Sequence, residues 1–242
     1  VSAKLGKPRI TWTDCQASWW GKVTPTRLNL LITVATGKCL AELEIVRPSL
    51  QAYADKINAD FIALVNTTEP WWGYEKFRVQ HFVPQYERTL FVDSDVVISP
   101  DCENLFDIVP ESHVGIHDDW KHLPSHEWMQ HEKAKVCESQ GWTPDQREIC
   151  LNTGVVVCSR HHLVWDRPGD GLPTNIHCAE QFAFEQQMLR QGVEWCGLDV
   201  KYNTQWWMPQ YRKLVPHARI NHLANSNDKT GDLKNAMKGL RF

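Results

Sequence analysis

No stretch of the chain approaches the ~20 consecutive apolar residues of a membrane-spanning helix, and the N-terminus has no apolar core of a secretion signal. There is no basic excess either: 26 Lys and Arg stand against 29 Asp and Glu, a net charge of -3, so nucleic acid and anionic membrane are not expected as main partners. The eight cysteines form no CxxC and no tight Cys/His block, which argues against structural zinc and for mostly reduced thiols. GxGxxG and the Walker A pattern are missing, so a dinucleotide or P-loop enzyme is disfavoured. Any bound phosphate must then be held by metal and side chains. HExxH is missing too. His117, His122, His126 and His131 do not repeat one helical face, and the polar segment 118–149 reads as surface. No internal repeat or low-complexity linker divides the chain.

What is present is ordinary in bulk, with 42% hydrophobic and 23% charged residues over 242 positions, enough for one large α/β domain. Tryptophan is the exception at 12 residues, with doublets Trp19-Trp20, Trp71-Trp72 and Trp206-Trp207. Core packing accounts for most single tryptophans. Doublets in polar loops suit surface recognition, and indole faces stack on the C–H faces of sugars.

One stretch organises the rest. Arg88-Thr89-Leu90-Phe91-Val92-Asp93-Ser94-Asp95-Val96-Val97-Ile98 is a β-favouring apolar run, as for a strand buried on both faces, interrupted by two carboxylates. Ligands gather at the carboxyl ends of strands in open α/β sheets, and a buried carboxylate pair is best compensated by a divalent cation. Asp93 and Asp95 are therefore candidate metal ligands. A solvated turn would suit a polar Gly/Pro segment better.

Residues 1–26 read as an irregular extension. Leu28–Ala35 is a buried strand followed by the turn Thr36-Gly37-Lys38, and Cys39–Asn58 has helical spacing, with Pro48 expected to bend or restart the helix. Asp60–Val65 is a second strand, implying a right-handed parallel crossover. Tyr74–Phe82 reads as a helix before the acidic strand, so two βαβ units fill the first hundred residues. Short strands are expected at His113–His117, Leu151–Cys158, Val193–Leu198 and Arg219–Leu223. Ala179–Gln191 is a helix with Glu180-Gln181 in its first turn, where a carboxylate suits the helix dipole. Tyr202–Trp207 reads as a loop.

In order along the chain, Tyr86-Glu-Arg-Thr-Leu-Phe-Val-Asp93-Ser94-Asp95, Leu151-Asn152-Thr-Gly154, Glu180-Gln181, Tyr202-Asn203 and His222 resemble the motifs of retaining glycosyltransferases with the GT-A fold, families 8 and 34 above all. Ser49–Lys56 is similar to their second motif. The likeness spans roughly residues 28–230. It implies one domain over 27–242, a Rossmann-like, mostly parallel central sheet flanked by helices, with 27–100 as a nucleotide-sugar half and 101–242 as an acceptor half.

The resemblance further implies that Asp93, Asp95 and His222 hold manganese or magnesium, an oxygen and imidazole set that suits manganese. Lys229 and Ser94 would support the donor, a UDP-sugar. Lys76, or Arg78 in its place, would contact it from the helix before the acidic strand, and Val34 and Ala35 would line the base pocket. Asn152, Glu180 and Gln181 would lie near the anomeric carbon. A glycan hydroxyl would be the acceptor, with an acceptor-side carboxylate such as Asp118 or Glu180 needed only if the reaction inverted. A sugar-phosphate nucleotidyltransferase is one alternative, though Thr36-Gly37-Lys38 is a poor version of its basic Gly-rich loop. The other is a non-catalytic carbohydrate-binding protein, which has no need of Asp93, Asp95 and His222 together. Both a cytoplasmic protein and a Golgi-lumenal catalytic domain cut from an N-terminal anchor fit a chain that starts at Val1.

Overall fold

The first apolar run forms strand β1 (Asn29–Val34), and the segment behind it forms helix α1 (Cys39–Lys56), β2 (Ala59–Leu64) and β3 (Arg88–Asp93). This computed structural model describes residues 24–240 except 70, 146, 170, 171, 177 and 239. The N-terminal extension therefore lies outside the described residues up to position 23, as do Cys15 and the Trp19-Trp20 doublet. β2 and β3 both pair parallel to β1, and the order continues through β6 (Leu151–Ser159), β5 (Val114–Asp118) and β7 (Trp195–Gly197) as β2-β1-β3-β6-β5-β7. β6 runs antiparallel to both of its neighbours, so the sheet is mixed and mostly parallel.

Period-two alternation places Leu31, Leu90 and Val92 on one face of this sheet, under α1 with Leu43, Val46, Leu50 and Tyr53. Leu30, Ile32 and Phe91 lie on the other face with Phe184 of α4 (Ala179–Arg190). Phe91 and Phe184 meet Trp165 at ring-centroid distances of 4.9 and 4.7 Å. Truncating Phe91 to Ala there would cost about 3–5 kcal/mol.

α1 runs through Pro48 as one helix instead of restarting, because its buried stripe against the sheet holds on both sides of the proline. The helix expected over Tyr74–Phe82 is a 3₁₀ run, Trp72–His81. Its i, i+3 register stacks buried Tyr74 over Phe77, and the buried Glu75 carboxylate closes the start by accepting from the Thr68 and Glu69 amides.

Segment 118–149 is not the surface piece its polarity implied. It contains α3 (His126–Ser139), which buries Met129, Val136 and Cys137 together with Glu132 and Lys133. Polarity misleads there because Lys133 is consumed internally, pairing with the buried Glu185 of α4 at 2.6 Å. His117 is buried as well. The seven described cysteines are unpaired, and no described helix is long and apolar enough to cross a membrane.

Candidate active site

The acidic stretch is where the chain leaves one sheet for another. β3 ends at Asp93, Ser94 and Asp95 turn, and β4 (Val96–Ile98) joins a three-stranded sheet with β9 (Ile220–His222) and β8 (Thr204–Gln205) in the order β4-β9-β8. The register Val96↔His222 sets the histidine beside Asp95, and Gln205↔His222 sets a glutamine next to it. Asp93, Asp95 and His222 thereby offer ligand atoms that lie within 4.8 Å of one another. The turn opens into a cleft of about 480 Å³.

His222 is held in one orientation from behind. Asn203 Nδ2 donates to Asn152 Oδ1 at 2.9 Å, and Asn203 Oδ1 accepts from His222 Nδ1 at 2.9 Å. Nε2 then points at Asp95 Oδ1, 3.2 Å away, and Asp93 Oδ2, 3.6 Å away. A bare imidazole lone pair facing two carboxylates is repulsive, so this spot wants a proton or a cation. Burial works to lower the His222 pKa, but Asp95 and Asp93 outweigh it and raise it. The same convergence of two carboxylates and an oriented imidazole fits a divalent ion, which would take the place of that proton.

Gly154 makes room for the ring. A Cβ there would fall 2.2 Å from His222 Cε1 and 2.9 Å from Asn152 Oδ1, so no side chain is compatible with this approach. β6 delivers Gly154 one step beyond its last pair with β3, Val92↔Val155. A register shift between Ile116 and His117 in the β5–β6 pairing then brings Asn152 opposite His117 at the sheet end.

Two lysines neutralise the carboxylates. Lys76, buried, lies 2.9 Å from Asp93 and 3.5 Å from Glu180. Burial disfavours its charge, yet Asp93 and Glu180 raise its pKa overall. Lys229, the first residue of α6 (Lys229–Met237), lies 2.7 Å from Asp95 and 3.9 Å from Glu42. Burial raises the Asp95 pKa, but His222 and Lys229 hold it below the ordinary carboxylate range.

The other end of the cleft is built from carboxamides. Asn152 Nδ2 donates to Asp119 Oδ2 at 2.9 Å, to Gln205 Oε1 at 3.1 Å and to Gln181 Oε1 at 3.4 Å. Gln205 Nε2 donates to Asp119 Oδ1 at 2.6 Å. Burial pushes the Asp119 carboxyl up to about 7 despite these donors. Glu180 also lines the cleft, and its buried Oε2 has no hydrogen-bond partner among the described residues.

Of the residues singled out from sequence, Val34, Lys76, Asp93, Ser94, Asp95, Asn152, Glu180, Gln181, His222 and Lys229 line this cleft. Ala35 is buried behind it, its amide bonded to the Leu64 carbonyl. Arg78 turns away, its guanidinium on Glu75 and the Asn66 carbonyl, so of the two basic candidates Lys76 is the one that reaches the cleft. Asp118 is spent on backbone, accepting from the Trp120 and Cys150 amides, and it is Asp119 that faces the cleft. Sequence reading missed Asp119, Gln205, Glu42 and the rim residue Trp128. Only Asp119 left a signal, as the second half of an Asp-Asp pair that ends a strand.

No protein-family model and no curated protein matches the sequence. Solved structures do. A glycosyltransferase involved in the glycosylation of the major capsid of PBCV-1 superposes with a TM-score of 0.57 at 14% identity, covering 85% of this chain and 99% of that one. This chain has the GT-A fold. The galactosyltransferase LgtC in complex with donor and acceptor sugar analogues shares the GT-A architecture with a TM-score of 0.54 at 12% identity, over 88% of this chain and 96% of LgtC. The glycosyltransferase GlyE of Streptococcus pneumoniae TIGR4 does so at 0.52 and 14% identity, over 88% of this chain and 60% of GlyE. At these identities the likeness speaks to the GT-A fold, and chemistry has to be argued from the cleft.

Proposed function

We propose that the chain is a metal-dependent, retaining glycosyltransferase that moves a hexose or pentose from a nucleotide diphosphate sugar, a UDP-sugar, to a glycan hydroxyl. The observation that carries this reading is the convergence of Asp93, Asp95 and His222 within 4.8 Å at the carboxyl end of a GT-A sheet. Lys76 and Lys229 stand beside the same carboxylates. Such a set gathers negative ligand charge, which a diphosphate has and a neutral saccharide lacks, and this favours a transferase over a lectin. Asp93, Asp95 and His222 would hold a divalent ion, manganese by its taste for mixed oxygen and imidazole ligands, and the ion would supply Lewis-acid stabilisation of the departing diphosphate.

The protein's own groups divide the remaining work. Lys229 and Lys76 supply fixed positive charge at the leaving-group end, while Val34 lines the wall for the base. In the retaining route the bond from the anomeric carbon to the diphosphate breaks and its electron pair leaves with the diphosphate. The acceptor oxygen bonds on the same face, and its proton passes to a diphosphate oxygen. Gln181 and Asn152 present oriented dipoles to the cation-like sugar. The unpartnered Oε2 of Glu180 is suited to a sugar hydroxyl or to a transient bond with the anomeric carbon. Residues 27–242 are read as one catalytic unit with a donor half, 27–100, and an acceptor half, 101–242. His222 and Lys229 reach into the donor end from the second half.

The test is incubation with a panel of UDP-sugars and manganese, with and without chelator, reading free UDP and then the anomeric configuration of early product by proton NMR. Manganese-dependent UDP release with retention is expected. No release from any donor, or a product of inverted configuration, overturns the reading.

A further inference from the structure

Away from the carboxylates, the cleft wall changes character. The connection between β5 and α3 contributes Leu123 and Pro124, α3 contributes Trp128 and Met129, and the chain after β8 contributes Trp207. Both indoles sit on fixed mounts. Trp128 lies in the first turn of α3, 41% exposed, its amide donating to the N-cap Ser125 Oγ at 3.2 Å. That turn is pinned by His126, stacked on the buried Trp120 at 4.3 Å between ring centroids and bonded to the Trp120 carbonyl. Trp207 Nε1 donates to Gln205 Oε1 at 2.7 Å, which ties this ring to the network of Asp119, Asn152 and Gln181. Its neighbour Trp206 is packed on Tyr211 at 5.1 Å and takes no part in the cleft wall.

We infer that Trp128 and Trp207 form the acceptor subsite and that the acceptor is a saccharide, held by its pyranose C–H faces, and not a hydroxylated peptide. This rests on the glycosyl-transfer reading of the same cleft. An indole face is electron-rich, and a pyranose with equatorial hydroxyls turns a patch of weakly positive C–H groups outward, so the two are complementary while the hydroxyls stay free for polar partners. Those partners are at hand in Gln205, to which Trp207 is bonded, and in Asn152 and Gln181 beyond it. A peptide laid along Leu123, Pro124, Trp128 and Met129 would bring a row of main-chain polar groups to indole, aliphatic and proline side chains, with the carboxamides gathered at one end only. Rigid aromatic mounts also lose little entropy on binding.

The experiment is saturation-transfer NMR on the full chain with lactose, maltose and cellobiose as saccharide probes and a Ser/Thr-bearing decapeptide as the competitor class. The saccharide C–H protons of at least one disaccharide should take up saturation. That signal should fall about ten-fold in Trp128→Ala and in Trp207→Ala, recover in part in Trp128→Phe, and persist in Trp206→Ala, with thermal melts checking that each variant folds. No saccharide signal, an equal loss in Trp206→Ala, or a signal from the peptide alone overturns the subsite. UDP release from UDP-sugars is followed on the same preparation. Release without saccharide contact defeats the subsite and leaves the transferase reading intact, whereas saccharide contact without release leaves the aromatic subsite and defeats the transferase reading.

Discussion

At one end of the cleft, formal charges hold one another: Asp93 and Asp95 against Lys76, Lys229 and His222. At the other end, Asn152, Gln181 and Gln205 are bonded among themselves, and Asp119 is the carboxyl they surround. The difference teaches what each end is ready to receive. A charged cluster has already met the desolvation penalty of its ions and can exchange one partner for another, a carboxylate its lysine for a metal or a lysine its carboxylate for a diphosphate, with little reorganisation. A carboxamide network carries dipoles of fixed direction and no net charge, suited to a polar but neutral sugar and to the partial positive charge that develops on it. Gly154 is the joint between the two, touching the space of His222 on one side and Asn152 on the other.

The comparison is tested most severely at the charged end. Asp95→Ala should lower manganese-dependent turnover by ~10³-fold or more, since it removes a ligand and frees Lys229 and His222 from their common partner. The variant should still melt cooperatively, and metal-dependent turnover at the wild-type level would dissolve the distinction between the ends. Next in size is the joint. Gly154→Ala forces a Cβ to 2.2 Å from a ring that Asn203 holds in place, so both ends should be disturbed together. Turnover should drop ~10²-fold, with a loss of about 1–3 kcal/mol in denaturant unfolding. An Ala variant with unchanged manganese affinity would mean that the ring has slack.

Gln181→Ala probes the neutral end on its own. If the glutamine acts by dipole and position and transfers no proton, turnover should fall ~10²-fold without a change in the shape of the pH profile. A shifted pH profile would mean that the glutamine tunes a titrating neighbour, the Glu180 beside it, in a protonic role.

The two ends also differed in how far they could be read from sequence. The charged end announced itself, because carboxylates inside Phe-Val and Val-Val-Ile are physically out of place and force a search for a counter-charge. His222 and Lys229 came from ordered resemblance, and it is the pairing of β4 with β9 that explains why a residue so distant in sequence lies beside Asp95. The sheet was legible because its strands are buried on both faces and read as continuous apolar runs. α3 was not, since two of its five buried residues are Glu132 and Lys133, and apolar periodicity cannot see a lysine whose burial is made tolerable by an ion pair with Glu185. The same blindness hid part of the neutral end, whose Asn152 and Gln181 had come from the resemblance. Gln205 and Asp119 have polar side chains in loop-like surroundings, and only the three-dimensional network distinguishes them from solvated residues. Asp118, its chain neighbour, was the plausible carboxylate by position and is taken up by two backbone amides.

The smallest expected effect is the most specific. His117 Nδ1 donates to the Leu198 carbonyl at 2.8 Å, which leaves Nε2 as a lone pair, 3.6 Å from Asp119 Oδ1 and without a hydrogen-bond partner among the described residues. Burial works against charge on the His117 ring and raises Asp119 to about 7, so the carboxyl is the group in this corner that gains a proton on folding. The unfolded-state value for an Asp is about 3.9. Between that value and about 7 the folded protein binds the extra proton, and the stabilisation it brings is complete below pH ~4 and drains away as pH rises through 7, at no more than ~1.4 kcal/mol per pH unit. Asp119→Asn cannot titrate. It keeps one acceptor oxygen but turns an amide N–H toward the Gln205 donor, so a loss of about 1 kcal/mol is expected at pH 5. The gap between wild type and variant should then close within about one pH unit above 5 and reverse by pH 8, because only the wild type weakens, at up to ~1.4 kcal/mol per unit until pH passes about 7. Thermal melts of the two proteins at half-unit steps from pH 5 to 8 measure this directly. A gap that stays constant would mean that Asp119 is ionised throughout, and that the second end of the cleft carries a permanent charge like the first.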